Sequence, residues 1–175
     1  EDYTKYVLKC MGVELKRRDN ALIAKIAVSG IVNNILSGDG ESINMSISDR
    51  NNNAVKFIKD FIKKVLRNQF PIEKFIISKT LKSTYKNRQG QAHAVLADRI
   101  ASRDPGKAPS TNDRVPFVYV INKKKLKKGE KLLQGEKVED PSYIKENNLE
   151  IDLLFYITNQ IMKPCISYLE LIAKN

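Results

Sequence analysis

With 42% hydrophobic and 29% charged residues among 175, the chain has the apolar content to bury a core. That excludes a disordered tail and suits one domain, or one domain plus a piece of another. The apolar runs break well short of the roughly 18 residues a membrane span requires, and neither GxGxxG nor GxxxxGKS/T occurs, so membrane-spanning, P-loop and dinucleotide folds find no support. The formal net charge of +11 asks instead for an anionic partner: nucleic acid, an acidic protein or a membrane surface.

Tyr6, Leu8 and Cys10, then Val13 and Leu15, alternate with polar or small neighbours around Met11-Gly12, which predicts strand, turn and strand. Asp19 or Asn20 then caps a helix carrying Leu22, Ile23, Ile26, Ile31, Ile35 and Leu36 at helical spacing, ended by Ser37-Gly38-Asp39-Gly40. A polar loop runs to about Asn53. The second helix, from about Ala54 to Asn68, sets Val55, Ile58, Ile62, Val65 and Leu66 on one stripe and Lys56, Lys59, Lys63 and Lys64 mostly opposite. Phe75 to Leu81 is a strand candidate, and polar Lys82 to Gly90 leads to a helix from about Gln91 to Ser102 that buries Ala92, Val95, Leu96 and Ile100.

Asp104-Pro105-Gly106-Lys107-Ala108-Pro109 cannot continue a helix, and Val115 to Ile121 reads as a strand. Asn122 to Gly135 is a lysine-rich hairpin or loop. Asp140-Pro141 starts a short helix, and from about Ile151 the residues Leu153, Leu154, Ile157, Ile161, Ile166 and Leu169 keep helical spacing, with Pro164 imposing a break or kink. The total is α+β and predominantly α-helical, with strands too few and too separated for a doubly wound sheet.

The charge is unevenly spread. From Glu1 to Glu73 there are 12 Lys+Arg against 9 Asp+Glu, from Lys74 to Lys131 15 against 4, and from Leu132 to Asn175 4 against 7, so the middle third holds the equivalent of the whole excess. A localised excess is how a basic binding face looks, although a merely solvated surface has the same composition. Lys79, Lys82, Tyr85, Lys86 and Arg88 place an aromatic ring among cations, and residues 82, 85 and 86 share one side of any helical turn there, suited to phosphate contacts. Arg99 and Arg103 are spaced i, i+4, and Arg114 precedes a strand; each could fork onto a phosphate or onto a carboxylate such as Asp98 or Asp113. The run Lys123, Lys124, Lys125, Lys127, Lys128 is flexible point charge, serving steering or solubility.

Catalytic chemistry has little to stand on. No acidic pair is placed for two-metal catalysis, which needs carboxylates holding ions about 3.5–4 Å apart. Asp98 and Asp104 fall on different sides of a helix, and Asp39 with Glu41 lacks the rest of a calcium loop. His93 is the one histidine and reads as structural; with only Cys10 and Cys165 beside it there is no zinc set. Two cysteines and no signal-peptide layout suit a reducing, intracellular compartment, and a start at Glu1 suggests an excised segment.

The segment GVELKRRDNALIAK, Gly12 to Lys25, resembles the block of family B DNA polymerases where the last palm strands lead into the thumb. SKTLKSTY and then AHAVLADRIASRDPGKAPSTNDRVPFVYV resemble the thumb of the delta-type and large-DNA-virus members, and YITNQIMKP, Tyr156 to Pro164, resembles its closing block. The family's catalytic aspartate motifs, Asp-x-x-Ser-Leu-Tyr and Tyr-Gly-Asp-Thr-Asp, do not occur here.

The resemblance implies that residues 1–19 are the short β edge of a palm and residues 20–175 a mainly helical, thumb-like subdomain. It implies a whole enzyme that adds deoxynucleotides to a primer with two Mg2+ ions, taking dNTP through a palm and fingers absent here. The expected partners are primer-template DNA and a processivity factor, without a membrane, in the nucleus or at a cytoplasmic viral replication site. By matched position Arg17, Arg18 and Asp19 would stand beside the primer end, and Lys79, Lys82 and Tyr85 along the duplex; Lys86 and Arg88 join them as DNA-binding candidates only from their place among the same cations. His93, Asp98, Arg99 and Arg114 would either hold the thumb together or touch DNA. The rival reading is a standalone, non-enzymatic, basic nucleic-acid-binding module; a nuclease has only isolated carboxylates behind it.

Overall fold

The first described helix, α1 (Leu22–Leu36), is apolar on nearly every face, and the face it buries is made by Ile23, Ala24, Ala27, Val28, Ile31 and Val32. Leu22 and Leu36, expected in the stripe, are exposed. At Gly30 the absence of a side chain lets α2 come close: a methyl group there would land on the Phe57 ring. The computed structural model describes residues 20–36, 45–125, 127 and 129–173, the side chains of 171–173 excepted. The expected strand, turn and strand of residues 1–19 and the stop at Ser37-Gly38-Asp39-Gly40 lie outside the described residues.

Helix α2 (Ile47–Leu66) begins well before the expected Ala54, so most of the predicted loop up to Asn53 is helical. Ser46 provides the start: its hydroxyl accepts from the Asp49 amide at 3.1 Å, and the Asp49 carboxylate favours the positive end of the helix. The helix buries Ala54, Ile58, Phe61 and Val65 and leaves Lys56, Lys59, Lys63 and Lys64 in solvent. Ile62 is only half-buried and Leu66 is exposed.

Three strands form an antiparallel sheet in the order β1 (Ile77–Thr80), β2 (Arg114–Tyr119), β3 (Val138–Glu139). Ile77 faces Phe117 and Thr80 faces Arg114, while Val118 faces Glu139. β3 covers β2 only at Val118 and Tyr119, so Pro116 falls where β2 has one neighbour, a position that tolerates a residue without an N–H. The two-residue β3 is absent from the sequence reading, and β1 and β2 are both shorter than expected there.

Helix α3 (Ala92–Arg103) packs on β2 and buries His93, Ala94, Leu96 and Ala97. Its expected stripe named Val95, which instead meets the tight turn Gln134–Lys137, where Gly135 has no room for a Cβ. The Asp104 loop is a short 3-10 turn, Pro105–Lys107, whose Gly106 amide donates to the Asp104 carboxylate at 3.0 Å.

Asp140 caps α4 (Pro141–Asn147) by accepting from the amides of Ser142 and Tyr143. The last helical run is α5 (Leu153–Phe155), a π-helical stretch Tyr156–Met162, and α6 (Lys163–Ala173). Pro164 cannot donate to the carbonyl four residues before it, and the wider π turn directly ahead of it is the break the sequence called for. Tyr156, fully buried, pins the layers together: its hydroxyl donates to the Phe75 carbonyl at 2.7 Å and accepts from the Tyr119 amide at 2.9 Å. The Gln160 side chain accepts from the Ala21 amide at 3.2 Å, tying the start of α1 to the same stretch. Among the described residues the outcome is a mostly helical α+β fold with one small three-stranded antiparallel sheet.

Candidate nucleic-acid interface

β1 ends at Thr80, and the chain turns through an irregular loop before entering α3. That corner forms a concavity of about 490 Å³ lined by Ser78, Lys79, Thr80, Lys82, Tyr85, Gln91, His93 and Arg114. Five residues singled out in the sequence, Lys79, Lys82, Tyr85, His93 and Arg114, therefore converge. Among the described residues the lining holds three permanent cations and no carboxylate.

The parts are held individually. Arg114, opposite Thr80 in the register, reaches along β1 to Ser78, its Nε donating to the Ser78 hydroxyl at 3.0 Å and its Nη2 to the Ser78 carbonyl. The Lys82 amide donates to the Tyr85 hydroxyl at 2.7 Å, and that hydroxyl lies 2.9 Å from His93 Nε2. The two rings meet edge-on with centroids 5.7 Å apart. Burial holds the His93 imidazole below its ordinary 6.5, with the charges of Lys79 and Arg88 adding to it and the Thr80 carbonyl opposing. Lys79 and Lys82 are exposed.

A helical turn over residues 82–86 does not form. Lys82 and Tyr85 meet through the amide-to-hydroxyl bond instead, and Lys86 is exposed but does not line the concavity. Arg88 turns to α3, where its Nε and Nη2 grip the two Asp98 oxygens at 2.9 and 2.6 Å, and its guanidinium sits 5.6 Å from the Tyr85 ring centroid. The Asp98 carboxyl is held below the usual carboxylate range by that hydrogen bond and by the Arg88 charge, against a smaller opposing effect of burial.

Arg99, placed by resemblance among positions that touch DNA or hold the thumb, is turned inward. It donates to the Val138 carbonyl at 3.0 Å, to Glu139 at 3.1 Å and to the Gly135 carbonyl. Arg103 forks onto the same Glu139 at 3.0 and 2.9 Å and lies 3.7 Å from the Tyr143 ring centroid. Glu139 is 5% exposed. Burial pushes its carboxyl up most strongly, yet the Arg103 bond, the Asp140 amide and the charges of Arg99 and Arg103 together bring it below 4.5. Glu139 was missed because its partners lie 36 and 40 residues away. Asp113, the other carboxylate considered for an arginine, accepts from the Ser110 amide at 2.7 Å.

A second concavity of about 390 Å³ opens here, its lining including Arg99, Arg103 and Lys123 with Glu136, Glu139 and Glu150. The lysine run beside it is partly neutralised: Lys123 meets Glu150 at 3.2 Å, and Lys124 meets Glu136 at 3.1 Å and Glu130 at 3.3 Å. It is not simply a run of loose point charges.

Arg17, Arg18 and Asp19 lie outside the described residues. Among the described residues no group of three or more His, Cys, Asp or Glu is arranged to hold a metal ion, so no donor set there fits magnesium and no step of this chain is routed through one. Cys165 is fully buried and its thiol is pushed up to about 12. No helix among the described residues is long and apolar enough to cross a membrane.

The model of DNA polymerase family B matches residues 1–172. The DNA polymerase of Acanthamoeba polyphaga mimivirus is 48% identical over 167 residues, 95% of this chain and 9% of that protein, and the DNA polymerase of Pyramimonas orientalis virus is 47% identical over 163 residues, 93% and 12%. The DNA polymerase delta catalytic subunit of Glycine max is 37% identical over 165 residues, 94% and 14%. The chain thus spans only a small part of these relatives. The solved family B DNA polymerase of Pyrobaculum calidifontis aligns with a TM-score of 0.64 over 85% of this chain and 17% of that one, at 19% identity, a likeness of fold. The chain belongs to DNA polymerase family B.

Proposed function

We propose that this chain is the end of the palm, residues 1–19, followed by the thumb, residues 20–175, of a replicative DNA-directed DNA polymerase, and that it grips the primer-template duplex. The observation that carries this reading is the concavity in which Lys79, Lys82 and Arg114 meet, with no carboxylate among the described lining residues. Three cations on a backbone-facing corner neutralise phosphates and read no bases, which suits an enzyme that must hold any sequence. Tyr85 supplies a ring edge against a sugar. By their matched positions Arg17, Arg18 and Asp19 serve the primer end. Nucleotide addition with two magnesium ions belongs to the complete polymerase, at the site of viral or nuclear DNA replication.

Binding of the chain to labelled primer-template duplex, measured by anisotropy across a salt series, tests the reading. Three neutralised phosphates give a slope of log K against log salt of about −2.7, at about −0.9 for each. Absence of binding at low salt, or binding that ignores salt, refutes the grip.

A further inference from the structure

Three cations lining one concavity do not by themselves make a grip, because lysine ammonium groups on flexible stems point wherever their backbone lets them. What fixes the backbone at this corner is unusual. The loop of residues 82–90 has no regular structure of its own, and it is fastened to α3 at two points. One is the Arg88–Asp98 fork, at its far end. The other is Tyr85, whose hydroxyl holds the Lys82 amide at 2.7 Å and lies 2.9 Å from Nε2 of His93, with the Thr80 carbonyl 3.5 Å away. Lys82 is thus held from beneath through two links, amide to phenol and phenol to imidazole, ending on a histidine that is 5% exposed on the buried face of α3.

We infer that His93 is a positioning residue for the duplex grip: it seats the Tyr85 hydroxyl, and Tyr85 seats the Lys82 backbone so that Lys79, Lys82 and Arg114 meet one run of phosphates. This rests on the proposed grip and adds to it a residue that need not touch DNA. A buried ring with two polar edges suits the task, since imidazole packs like an apolar side chain while its nitrogens hold hydrogen bonds at fixed angles. The same two links explain why a tyrosine is needed here and phenylalanine would not serve: the Lys82 amide would lose its acceptor.

The consequence is specific. Replacing His93 or the Tyr85 hydroxyl leaves every cation of the corner in place, yet removes the seating of Lys82. His93→Leu and Tyr85→Phe are each expected to weaken primer-template binding several-fold and to reduce the steepness of the salt slope by about one phosphate contact. The double variant is expected to lose little more than either single one, because both break one chain of contacts. His93→Gln, which keeps a side-chain hydrogen-bonding group near the hydroxyl, is expected to recover much of the loss. Thermal unfolding by circular dichroism accompanies each titration, and Tyr85→Phe, at a half-buried position, is the variant that keeps its fold if His93→Leu does not.

Additive losses, an unchanged salt slope, or full binding by Tyr85→Phe overturn the inference. Lys79→Ala, Lys82→Ala and Arg114→Ala separate this from the grip itself. If those three weaken binding while Tyr85→Phe and His93→Leu do not, the positioning role alone falls; if none of the three weakens it, the grip is wrong and the inference goes with it.

Discussion

Two concavities of similar size, about 490 and 390 Å³, open on the sheet and α3 side of this molecule, and each is lined by three permanent cations. The first sets Lys79, Lys82 and Arg114 against no carboxylate; the second sets Arg99, Arg103 and Lys123 against Glu136, Glu139 and Glu150. The net charges of these linings are +3 and zero. By residue count the region around Lys123 is the more basic stretch of chain, yet the partners that folding brings to it cancel the charge. Cationic density along a sequence measures solubility and reach, while an anion site requires that cations outnumber the carboxylates folding brings beside them, as they do among the described residues of the first concavity.

The largest effect should come from breaking the neutral pocket at its buried end. Glu139→Ala leaves Arg99 and Arg103 facing each other without their carboxylate, and should cost about 3 kcal/mol in urea unfolding at neutral pH, the low end for a broken buried pair because both arginines keep some solvent contact. Acid sharpens the test. The Glu139 carboxyl is depressed below 4.5 in the folded chain, so its contribution is present above 4.5 and is lost as pH falls through the folded value. The variant should lack that part of the acid sensitivity; a variant as stable as the parent would mean that the Val138 and Gly135 carbonyls suffice for Arg99, and the Tyr143 ring with solvent for Arg103.

Next in size is the charge test of the open corner. Lys79→Ala, Lys82→Ala and Arg114→Ala combined should remove about 2.7 from the salt slope of duplex binding. Lys123→Ala, Lys124→Ala and Lys125→Ala combined, an equal loss of formal charge, should remove less than about 1. Equal losses from the two sets would erase the distinction between the pockets. A smaller gain is expected from the converse change: Glu136→Gln with Glu150→Gln releases Lys123 and leaves Lys124 paired with Glu130 alone, and should steepen the slope by about one phosphate contact, read in the same titration.

The helices and the two longer strands were legible because each writes its pattern locally: the apolar spacing of Ile58 and Val65, the β-branched run into β2, the Asp140-Pro141 start of α4. The signal for the early start of α2 was also present, in Ser46 followed three residues later by Asp49, but the asparagines after it read as loop. The two-residue β3 was not legible, since a buried glutamate makes sense only once two arginines from α3 are beside it. The same limit governed the sites. Lys79, Lys82, Tyr85 and Arg114 could be picked as types, but which arginine keeps an internal carboxylate is decided by pairs of residues ten to forty apart, as in Arg88 with Asp98 and Arg99 with Glu139.

The smallest effect is a proton linkage at the open corner. His93 faces Lys79 from β1 and both Tyr85 and Arg88 from the loop, with Arg114 across the concavity on β2 and Asp98 of its own helix held by Arg88, so among the described residues cations prevail around it. With its folded value below 6.5, the unfolded chain binds more protons than the folded one between that value and 6.5. Stability should therefore fall on acidification through this window, and His93→Gln should flatten that portion of the pH profile of the urea midpoint. A phosphate seated in the corner would reverse part of the trend, because an anion favours the imidazolium that the lysines disfavour. Adding primer-template duplex to the parent should accordingly shift the His93 ring resonances toward a higher titration midpoint in NMR, whereas the Glu136→Gln with Glu150→Gln variant, altered only at the other pocket, should titrate like the parent. A midpoint unmoved by duplex would place the phosphates elsewhere on the chain.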